Sequence, residues 1–316
     1  MIDVLIPTYN RAPILIKNIL LLNEQMLSDG IAERFRILVS NNYSTDDTKA
    51  ALEAVKNDIT VELKIYNQCS NIGLEKNAVF LLCESDSEFI IYIGDDDYLP
   101  SGYLKFIAET IDNDASVTVI IPGFSSLYSD GSTLPARYAN FEIKKYPPSL
   151  VTALKVSNFG HQLSGLVLKR DGLSEKYLYN ESLRNLYPFI FFVASNNLRG
   201  FTYYAPRFQV LVSQGNSKDW RYDDSGLLVD VLKNYKILYP ESWLKRLLLS
   251  WSFTIKQSWR LRVGLNPLPV IKSFLHLLKS KDVDHSFKFT LILLYTYLYT
   301  RKILCLLKRS IFREIR

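Results

Sequence analysis

Residues 89–100 read Phe-Ile-Ile-Tyr-Ile-Gly-Asp-Asp-Asp-Tyr-Leu-Pro, and this stretch decides the fold. Its first five residues form an unbroken apolar run, which is typical of a strand buried on both faces of a parallel sheet. In open α/β sheets, ligands bind outside the carboxyl ends of the strands. The acidic triplet Asp95, Asp96 and Asp97 follows the run at that position. The sequence therefore favours a ligand site here over a solvated acidic turn.

The triplet also indicates what kind of ligand binds. Neighbouring carboxylates raise one another's pKa, and a bound cation relieves that repulsion. Carboxylate oxygens suit Mg²⁺ or Mn²⁺, and Mg²⁺ typically takes one or two carboxylates while substrate phosphates and water fill its other positions. We therefore predict a divalent metal and a phosphorylated substrate. Because alternate residues of an extended segment face the same way, either Asp95 and Asp97 share the metal or Asp96 alone points at it.

The first 125 residues alternate short apolar strands with helical stretches. Such an order predicts an α/β fold with a mostly parallel sheet flanked by helices. The predicted strands cover residues 4–6, 35–39, 61–66, 89–93 and 117–121, and the predicted helices between them cover 13–27, 47–57 and 74–84.

Composition excludes several classes of protein. The chain has 316 residues, of which 48% are hydrophobic and 22% charged, so global disorder is excluded and either one large domain with an appendage or two domains are expected. Its three cysteines, Cys69, Cys83 and Cys305, have no Cys-x-x-Cys spacing, which argues against a disulfide framework or a zinc site. A reducing cytoplasm fits this pattern. The first residues lack the basic and long apolar segments of a signal peptide.

Positive charge is concentrated in the tail. Residues 240–316 contain 15 Lys and Arg against 4 Asp and Glu, whereas the whole chain has a net charge of +6. Residues 289–300 form an apolar run of 12 residues, which is shorter than the roughly 20 that a spanning helix needs. We predict a helical tail at an anionic membrane surface and no binding of nucleic acid. A helical core packed on the sheet or a dimer interface is the alternative, and the oligomeric state stays open.

Four segments, each at the end of a predicted strand, together point to a family. They are residues 7–11, 40–46, 71–77 and 95–97. In this order they resemble the inverting family-two glycosyltransferases of the bacterial surface-polysaccharide type. The resemblance covers about the first 125 residues well and thins through residue 230. It implies a GT-A nucleotide-diphospho-sugar transferase fold, with a C-terminal helical extension here, and a nucleoside diphosphate sugar as donor.

The resemblance also implies roles for individual residues. Tyr9 would stack on the nucleobase and Arg11 would reach a phosphate, while Asn41 stands where many relatives carry Asp. Asp96, with Asp97 as its neighbour, would hold the Mg²⁺ or Mn²⁺ that bridges the donor diphosphate. The implied donor-binding residues are Pro7, Thr8, Tyr9, Arg11, Asn41, Asn42, Asp46, Asn71, Gly73, Lys76, Asn77 and Asp95.

Transfer with inversion needs a general base for the acceptor hydroxyl, usually Asp or Glu. The family commonly supplies it in a Glu-Asp pair about 20 residues beyond a segment like 164–170, but this chain has no acidic pair there. Glu181 is the nearest carboxylate and is the predicted base. Residues 214–220 resemble a mobile lid over the donor. The residues predicted on the acceptor side are His161, Gln162 and Ser164.

These predictions combine into one hypothesis. Residues 1–228 form the glycosyltransferase domain, with 1–125 binding the nucleotide sugar and 126–228 on the acceptor side, and residues 229–316 form a basic, aromatic-rich membrane-associating region. The protein would add a sugar to a polyprenyl-linked glycan for O-antigen or capsule synthesis at the cytoplasmic face of the inner membrane. A transferase acting on a soluble or protein acceptor, or an inactive sugar-nucleotide-binding or assembly protein, is the alternative.

Overall fold

The computed structural model describes residues 1–134, 141–214, 223–263 and 266–314. Of the predicted lid at 214–220, only Gln214 lies among them. The strands in these ranges are β1 Ile2–Thr8, β2 Phe35–Asn41, β3 Glu62–Asn67, β4 Phe89–Tyr92, β5 Val117–Leu127, β6 Thr133–Leu134, β7 Lys144–Tyr146, β8 Leu166–Lys169 and β9 Phe201–Ser213. The α-helices are α1 Ala12–Ser28, α2 Thr48–Val55, α3 Leu74–Glu84, α4 Tyr103–Asn113, α5 Leu150–Val156, α6 Leu173–Leu178, α7 Pro188–Asn197, α8 Leu228–Leu238, α9 Trp243–Lys256, α10 Pro267–Lys279 and α11 His285–Glu314.

The strands form one mixed sheet. Its order is β3-β2-β1-β4-β8-β5-β9-β7, and β6 pairs with β5. The half from β3 to β4 is parallel, because helices α1 to α3 carry the chain back between successive strands. Strand β8 runs antiparallel to both β4 and β5. The predicted α/β fold with a central sheet flanked by helices is confirmed. The sheet is mixed rather than mostly parallel, because β6, β7 and β8 pair antiparallel with their neighbours, which the first 125 residues do not indicate.

Both faces of the sheet are covered, as an unbroken apolar strand requires. Strand β4 shows this directly, because Ile90 and Tyr92 pack into one core while Phe89 and Ile91 pack into the other. Helices α1, α2 and α4 cover the second face. Helices α3 and α5 to α11 cover the first. The sheet is therefore a rigid middle layer whose strand ends are fixed on both sides.

The C-terminal helices contribute to the same core as α7. Leu232 of α8, Phe253 of α9, Leu277 of α10 and Leu291 of α11 are buried in the cluster that contains Tyr92. Helix α11 also has an exposed apolar side, described below. Within the described residues, no helix combines the length and the apolar character needed to cross a membrane. The predicted division of the chain at residue 228 stays a prediction.

Candidate functional site

The backbone of the acidic triplet is held by side chains from two other elements. Asn18 of α1 donates through Nδ2 to the carbonyl oxygens of Gly94, at 3.2 Å, and Asp97, at 2.9 Å. The Gly94 amide donates to Ser164 Oγ at 2.8 Å. A Cβ at position 94 would lie 3.1 Å from Asp97 Oδ2 and 3.4 Å from Asp96 Oδ1. A larger residue at position 94 would therefore require the neighbouring carboxylates to shift by a few tenths of an ångström.

Each carboxylate of the triplet has a different environment. Asp95 Oδ2 accepts a hydrogen bond from Thr8 Oγ1 at 2.7 Å, and Asp96 Oδ2 lies 3.1 Å from Arg11 Nη1. Asp97 is buried, and its Oδ1 accepts from the backbone amide of Ser213 at 2.9 Å. Ser164 Oγ donates to Asp97 Oδ2. Thr8, the last residue of β1, and Arg11, just after it, thus reach across to the end of β4, because the carboxyl ends of adjacent parallel strands meet at one edge.

Crowding raises the proton affinity of this group. Burial, together with the negative charge of Asp96 and a smaller effect of Asp97, raises the pKa of Asp95 to about 7. The hydrogen bond from Thr8 and the charge of Arg11 act in the opposite direction. The triplet therefore carries more negative charge than Arg11, the neighbouring cation, neutralises.

The donor set fits a divalent cation. In the described residues, no group of three or more His, Cys, Asp or Glu side chains converges as a complete metal cage. Asp97 is committed to Ser164 and Ser213, whereas Asp96 lies at the cleft surface, with a side chain 19% exposed. An incomplete carboxylate site of this kind matches Mg²⁺ or Mn²⁺, which complete their coordination with substrate phosphates and water.

Loops after β2 and β3 build the neighbouring part of the same wall. Asn42 Nδ2 donates to Asn71 Oδ1 at 2.9 Å, and Asn42 Oδ1 accepts from the Ile72 amide at 2.8 Å. Gly73 follows with a φ of +83°, a conformation that favours glycine. Asn77 of α3 is buried and donates to the Ser40 carbonyl at 3.0 Å. These asparagines fix the loops to one another.

A cleft of about 1540 Å³ opens along this wall. It brings together most of the residues that the sequence predicted. Those lining it are Pro7, Thr8, Tyr9, Arg11, Asn42, Asn71, Gly73, Asn77, Asp95, Asp96, Asp97, His161 and Gln162.

Five predicted site residues do not line the cleft. Asn41 is buried, with Nδ2 donating to Asn67, and Asp46 accepts from the backbone amides of Thr48 and Ala12. Ser164 lies behind the triplet. The remaining two, Lys76 and Glu181, are exposed, and Glu181 begins a short 3₁₀ turn at 181–183.

The opposite wall of the cleft comes from helical elements. His161 Nδ1 lies 2.6 Å from the Asn158 carbonyl oxygen, so this nitrogen carries the proton and the neutral ring has its lone pair on Nε2. Gln257 Nε2 lies 3.4 Å from His161 Nδ1, and Gln257 Oε1 accepts from Trp259 Nε1 at 2.6 Å. His161 is three residues before Ser164, so their Cα atoms are within about 11 Å. His161 and the triplet line the same cleft.

Arg260 is the most enclosed charged residue of this wall. Only 2% of it is exposed, yet it lines the cleft. Its guanidinium carbon lies 4.8 Å from the ring centres of both Tyr187 and Trp259. Nη1 donates to Tyr187 Oη at 3.1 Å and to the Gly226 carbonyl at 2.9 Å. Lys155 of α5 and Lys256 at the end of α9 also line this wall. The sequence analysis did not assign these three residues or Tyr187 to the site.

Comparison with known proteins identifies the family. The model of the family described as glycosyl transferase family 2 matches residues 3–162, which is half of the chain. The chain belongs to this family. The predicted membership is thus confirmed, and the matched region contains the loops after β1, β2, β3 and β4 that build the wall around the triplet.

Two curated relatives match part of the chain. The GalNAc(5)-diNAcBac-PP-undecaprenol beta-1,3-glucosyltransferase of Campylobacter jejuni is 31% identical over 108 residues, which cover 34% of this chain and 33% of that protein. The poly(ribitol-phosphate) beta-N-acetylglucosaminyltransferase TarS of Staphylococcus aureus is 27% identical over 120 residues, covering 38% of this chain and 20% of TarS. The matches thus span a third or less of these relatives' lengths.

Solved structures share the fold over most of the chain. S. aureus TarS residues 1–349 in complex with UDP-GlcNAc superposes with a TM-score of 0.63 at 20% identity, covering 88% of this chain and 79% of that one. The mannosyltransferase PcManGT of Pyrobaculum calidifontis, in complex with GDP-Man and Mn²⁺, gives 0.52 at 11% identity and covers 95% and 86%. The GT-A fold prediction is confirmed.

Proposed function

We propose that this protein transfers a sugar from a nucleoside diphosphate sugar to a glycan acceptor, with inversion at the anomeric carbon. The observation that carries the proposal is the convergence of the β1 and β4 loops, where Thr8 and Arg11 contact Asp95 and Asp96 at the cleft. The loops after β2 and β3 extend this surface with Asn42. Hydrogen bonds made by asparagines hold these loops to one another. Tyr9, in the same lining, is the aromatic group for the nucleobase.

Asp96, with Asp97 beside it, would hold the Mg²⁺ or Mn²⁺. When bound, the ion would offset the negative charge on the departing phosphate. The chain's own residues supply the rest of the site. Arg11 contributes a positive charge next to Asp96, and the hydrogen bonds of Asn18 to the triplet's backbone and of Ser164 to Asp97 Oδ2 hold the triplet in place before substrate arrives. Because these groups are already in place, they need not rearrange during the reaction.

For the general base, the structure favours His161 over Glu181. The described lining of the cleft contains His161 but not Glu181, which is exposed elsewhere. With Nδ1 donating to the Asn158 carbonyl, His161 Nε2 is the atom that takes the proton from the acceptor hydroxyl. The acceptor oxygen then attacks the anomeric carbon from the face opposite the phosphate, which inverts its configuration.

The acceptor we propose is a lipid-linked glycan of a surface polysaccharide such as O-antigen or capsule. Support comes from the undecaprenol-linked and poly(ribitol-phosphate) acceptors in the names of the two relatives. Helix α11 adds a structural reason, because its exposed side is apolar: Phe289 is 86% exposed and Ile292 is 68% exposed. Arg301 and Lys302 follow on the same helix. An apolar side with nearby cations suits an anionic bilayer, so we place the protein peripherally at the cytoplasmic membrane face.

Donor binding tests the proposal. Purified protein is heated with a panel of sugar nucleotides, with Mn²⁺ or with EDTA, and its melting temperature is recorded. We expect one donor to raise it only with Mn²⁺, because binding to the folded state stabilises that state. Asp96→Asn should remove the effect, while the control Asp112→Asn, an exposed residue paired with Arg34, should retain it. Stabilisation in both Asp variants would contradict the metal assignment.

Turnover separates an enzyme from an inactive binding protein. With the donor so identified, release of nucleoside diphosphate is followed in the presence of membrane glycolipid extract. Transfer, or slow hydrolysis of the donor, supports the enzyme. Tight donor binding without any turnover would favour the inactive sugar-nucleotide-binding protein instead.

A further inference from the structure

The two walls of the cleft carry opposite charge. Among the described residues that line it, the only carboxylates are those of the triplet, on the donor wall. The facing wall presents Lys155, Lys256 and Arg260 from α5, α9 and the 3₁₀ turn at 258–261. Nothing in donor binding at the triplet explains cations at the far wall. They indicate that the second substrate is itself negatively charged.

Arg260 is held in one orientation. Its guanidinium carbon lies 4.8 Å from the ring centres of both Tyr187 and Trp259, and Nη1 donates to Tyr187 Oη and to the Gly226 carbonyl. Two ring contacts and two hydrogen bonds remove much of the rotamer freedom of an arginine, so little conformational entropy is lost when a ligand binds. The planar guanidinium is also the group best matched to the oxygen atoms of a phosphate.

Lys256 is also held in place by its surroundings. Its Nζ donates to the carbonyl oxygens of Leu154 and Lys155 at the end of α5. The Lys155 ammonium in turn lies 5.4 Å from the ring centre of Tyr146. Two elements far apart in sequence thus bring a pair of lysines together at one edge of the cleft. Compact ammonium groups such as these bind phosphate as point charges.

We propose that Lys155, Lys256 and Arg260 form a subsite for a phosphate or diphosphate group of the acceptor. The inference rests on the proposed function and adds the chemical class of the second substrate. An acceptor anchored here by its phosphate would place its sugar hydroxyl toward His161, which lines the same wall. The negative charge comes either from a polyprenyl diphosphate or from the phosphodiester of an alditol-phosphate polymer, and both sources present the same oxygen atoms.

Metal dependence distinguishes the subsite from the donor site. Under the proposed function the donor diphosphate would need Mg²⁺ or Mn²⁺ at the triplet, whereas three protein cations would bind phosphate without any metal. The probe is inorganic pyrophosphate, titrated calorimetrically in EDTA at low ionic strength, because surface electrostatics weaken with salt. We expect measurable binding to the wild-type protein and an affinity at least tenfold lower in Lys155→Gln/Lys256→Gln. Asp96→Asn should bind as the wild type does.

Matched variants keep the test interpretable. Arg260→Lys retains one positive charge but loses the planar fork, so we expect an intermediate loss of affinity. The control Lys272→Gln removes a lysine of α10 that does not line the cleft, and it should leave binding unchanged. Because the two glutamine substitutions are at exposed positions, the double variant should fold even if Arg260 variants do not.

Farnesyl diphosphate and a short ribitol-phosphate oligomer, titrated in the same way, identify the source of the phosphate. Tighter binding of the former supports a lipid acceptor, and tighter binding of the latter supports a polymer. The proposal would be overturned if pyrophosphate failed to bind in EDTA, or if Asp96→Asn abolished binding while the lysine variants did not. Mn²⁺-dependent stabilisation by a sugar nucleotide would still be observed in those cases, so the two proposals fail separately.

Discussion

The cleft has two walls that are built by different means: the donor wall around the triplet, and the facing wall with Lys155, Lys256 and Arg260, which we call the acceptor wall after its proposed role. The donor wall consists of loops that leave parallel strands at one edge of the sheet, and its polar side chains hold one another, as Asn18 and Ser164 hold the triplet. The acceptor wall consists of helix ends that meet only through tertiary packing, and its central side chain, Arg260, is held by aromatic rings. The sheet thus fixes the positions of the donor-wall side chains, whereas tertiary packing fixes those of the acceptor wall.

This difference separates what is common to the family from what is particular to this chain. The family match at residues 3–162 contains the donor wall, Lys155 and His161, whereas Lys256 and Arg260 lie beyond it. A sheet edge can be reused for many donors with small changes of side chain. Helices packed against it can vary more widely, so under the proposed function they are the part of the molecule that would select the acceptor.

The largest effect should come from His161, which lines the wall of the cleft opposite the triplet. His161→Gln removes the proposed base, so we expect kcat to fall about 10²- to 10⁴-fold, the usual contribution of general-base catalysis. Stabilisation by donor and Mn²⁺ should persist, because the donor wall is untouched.

Glu181→Gln is the matched control, and we expect its kcat to stay within about twofold of the wild type. Steady-state kinetics of both variants measure the comparison. A large loss of kcat in Glu181→Gln with full activity in His161→Gln would mean that Glu181, and not His161, is the general base.

A second prediction concerns Gly94, behind the donor wall. Gly94→Ala should lower kcat/KM several-fold, because its Cβ would press on the oxygen atoms of Asp97 and Ser164 at 3.1 and 3.3 Å. Gly94→Val adds two methyl groups and should lower it about 100-fold, which corresponds to about 2.7 kcal/mol. Kinetics at saturating acceptor measure the series. Equal activity in both variants would mean that the triplet tolerates displacement.

The contrast between strand-end loops and packed helix ends also decides which parts of the fold and the site could be predicted from the sequence. Strand β4 and the loops at its edge were predictable, because an apolar run and its polar end lie next to each other in the chain. The sequence could not tell which of Asn41 and Asn42 lines the cleft. Adjacent residues of an extended chain point to opposite sides, and only Asn42 lines the cleft. Arg260 was not predictable, because nothing near it in sequence indicates that α9 ends at the cleft. The insertion of β8 next to β4 depends likewise on tertiary structure.

A third prediction tests the link between the walls. Arg184, before the acceptor-wall Tyr187, makes two hydrogen bonds of 2.8 and 2.9 Å to Glu75, which follows the donor-wall Gly73. A double-mutant cycle of Arg184→Gln and Glu75→Gln should give a coupling of about 1–2 kcal/mol in the free energy of unfolding, because both side chains are at least 80% buried.

The surface pair Arg34–Asp112 provides the comparison for this cycle. Its side chains are 39% and 51% exposed, and exposed pairs usually contribute less than about 1 kcal/mol. Denaturant unfolding measures both cycles. Similar couplings for the two pairs would show that the ion pair between the walls adds no special rigidity.

The smallest expected effect concerns the outer surface of the acceptor half. Phe289→Ser/Ile292→Ser replaces two exposed apolar side chains of α11, and we expect binding to anionic vesicles to weaken about tenfold, or about 1.4 kcal/mol. Leu20→Ser/Leu27→Ser removes two exposed leucines of α1 on the donor half and should leave vesicle binding unchanged. Vesicle co-sedimentation measures both variants. Because all four side chains are exposed, unfolding should be unaffected, so a difference between the pairs reports on the surface alone. Equal weakening in both pairs would mean that the protein meets the bilayer without a preferred face, and the acceptor wall would then have no special access to a lipid-linked substrate.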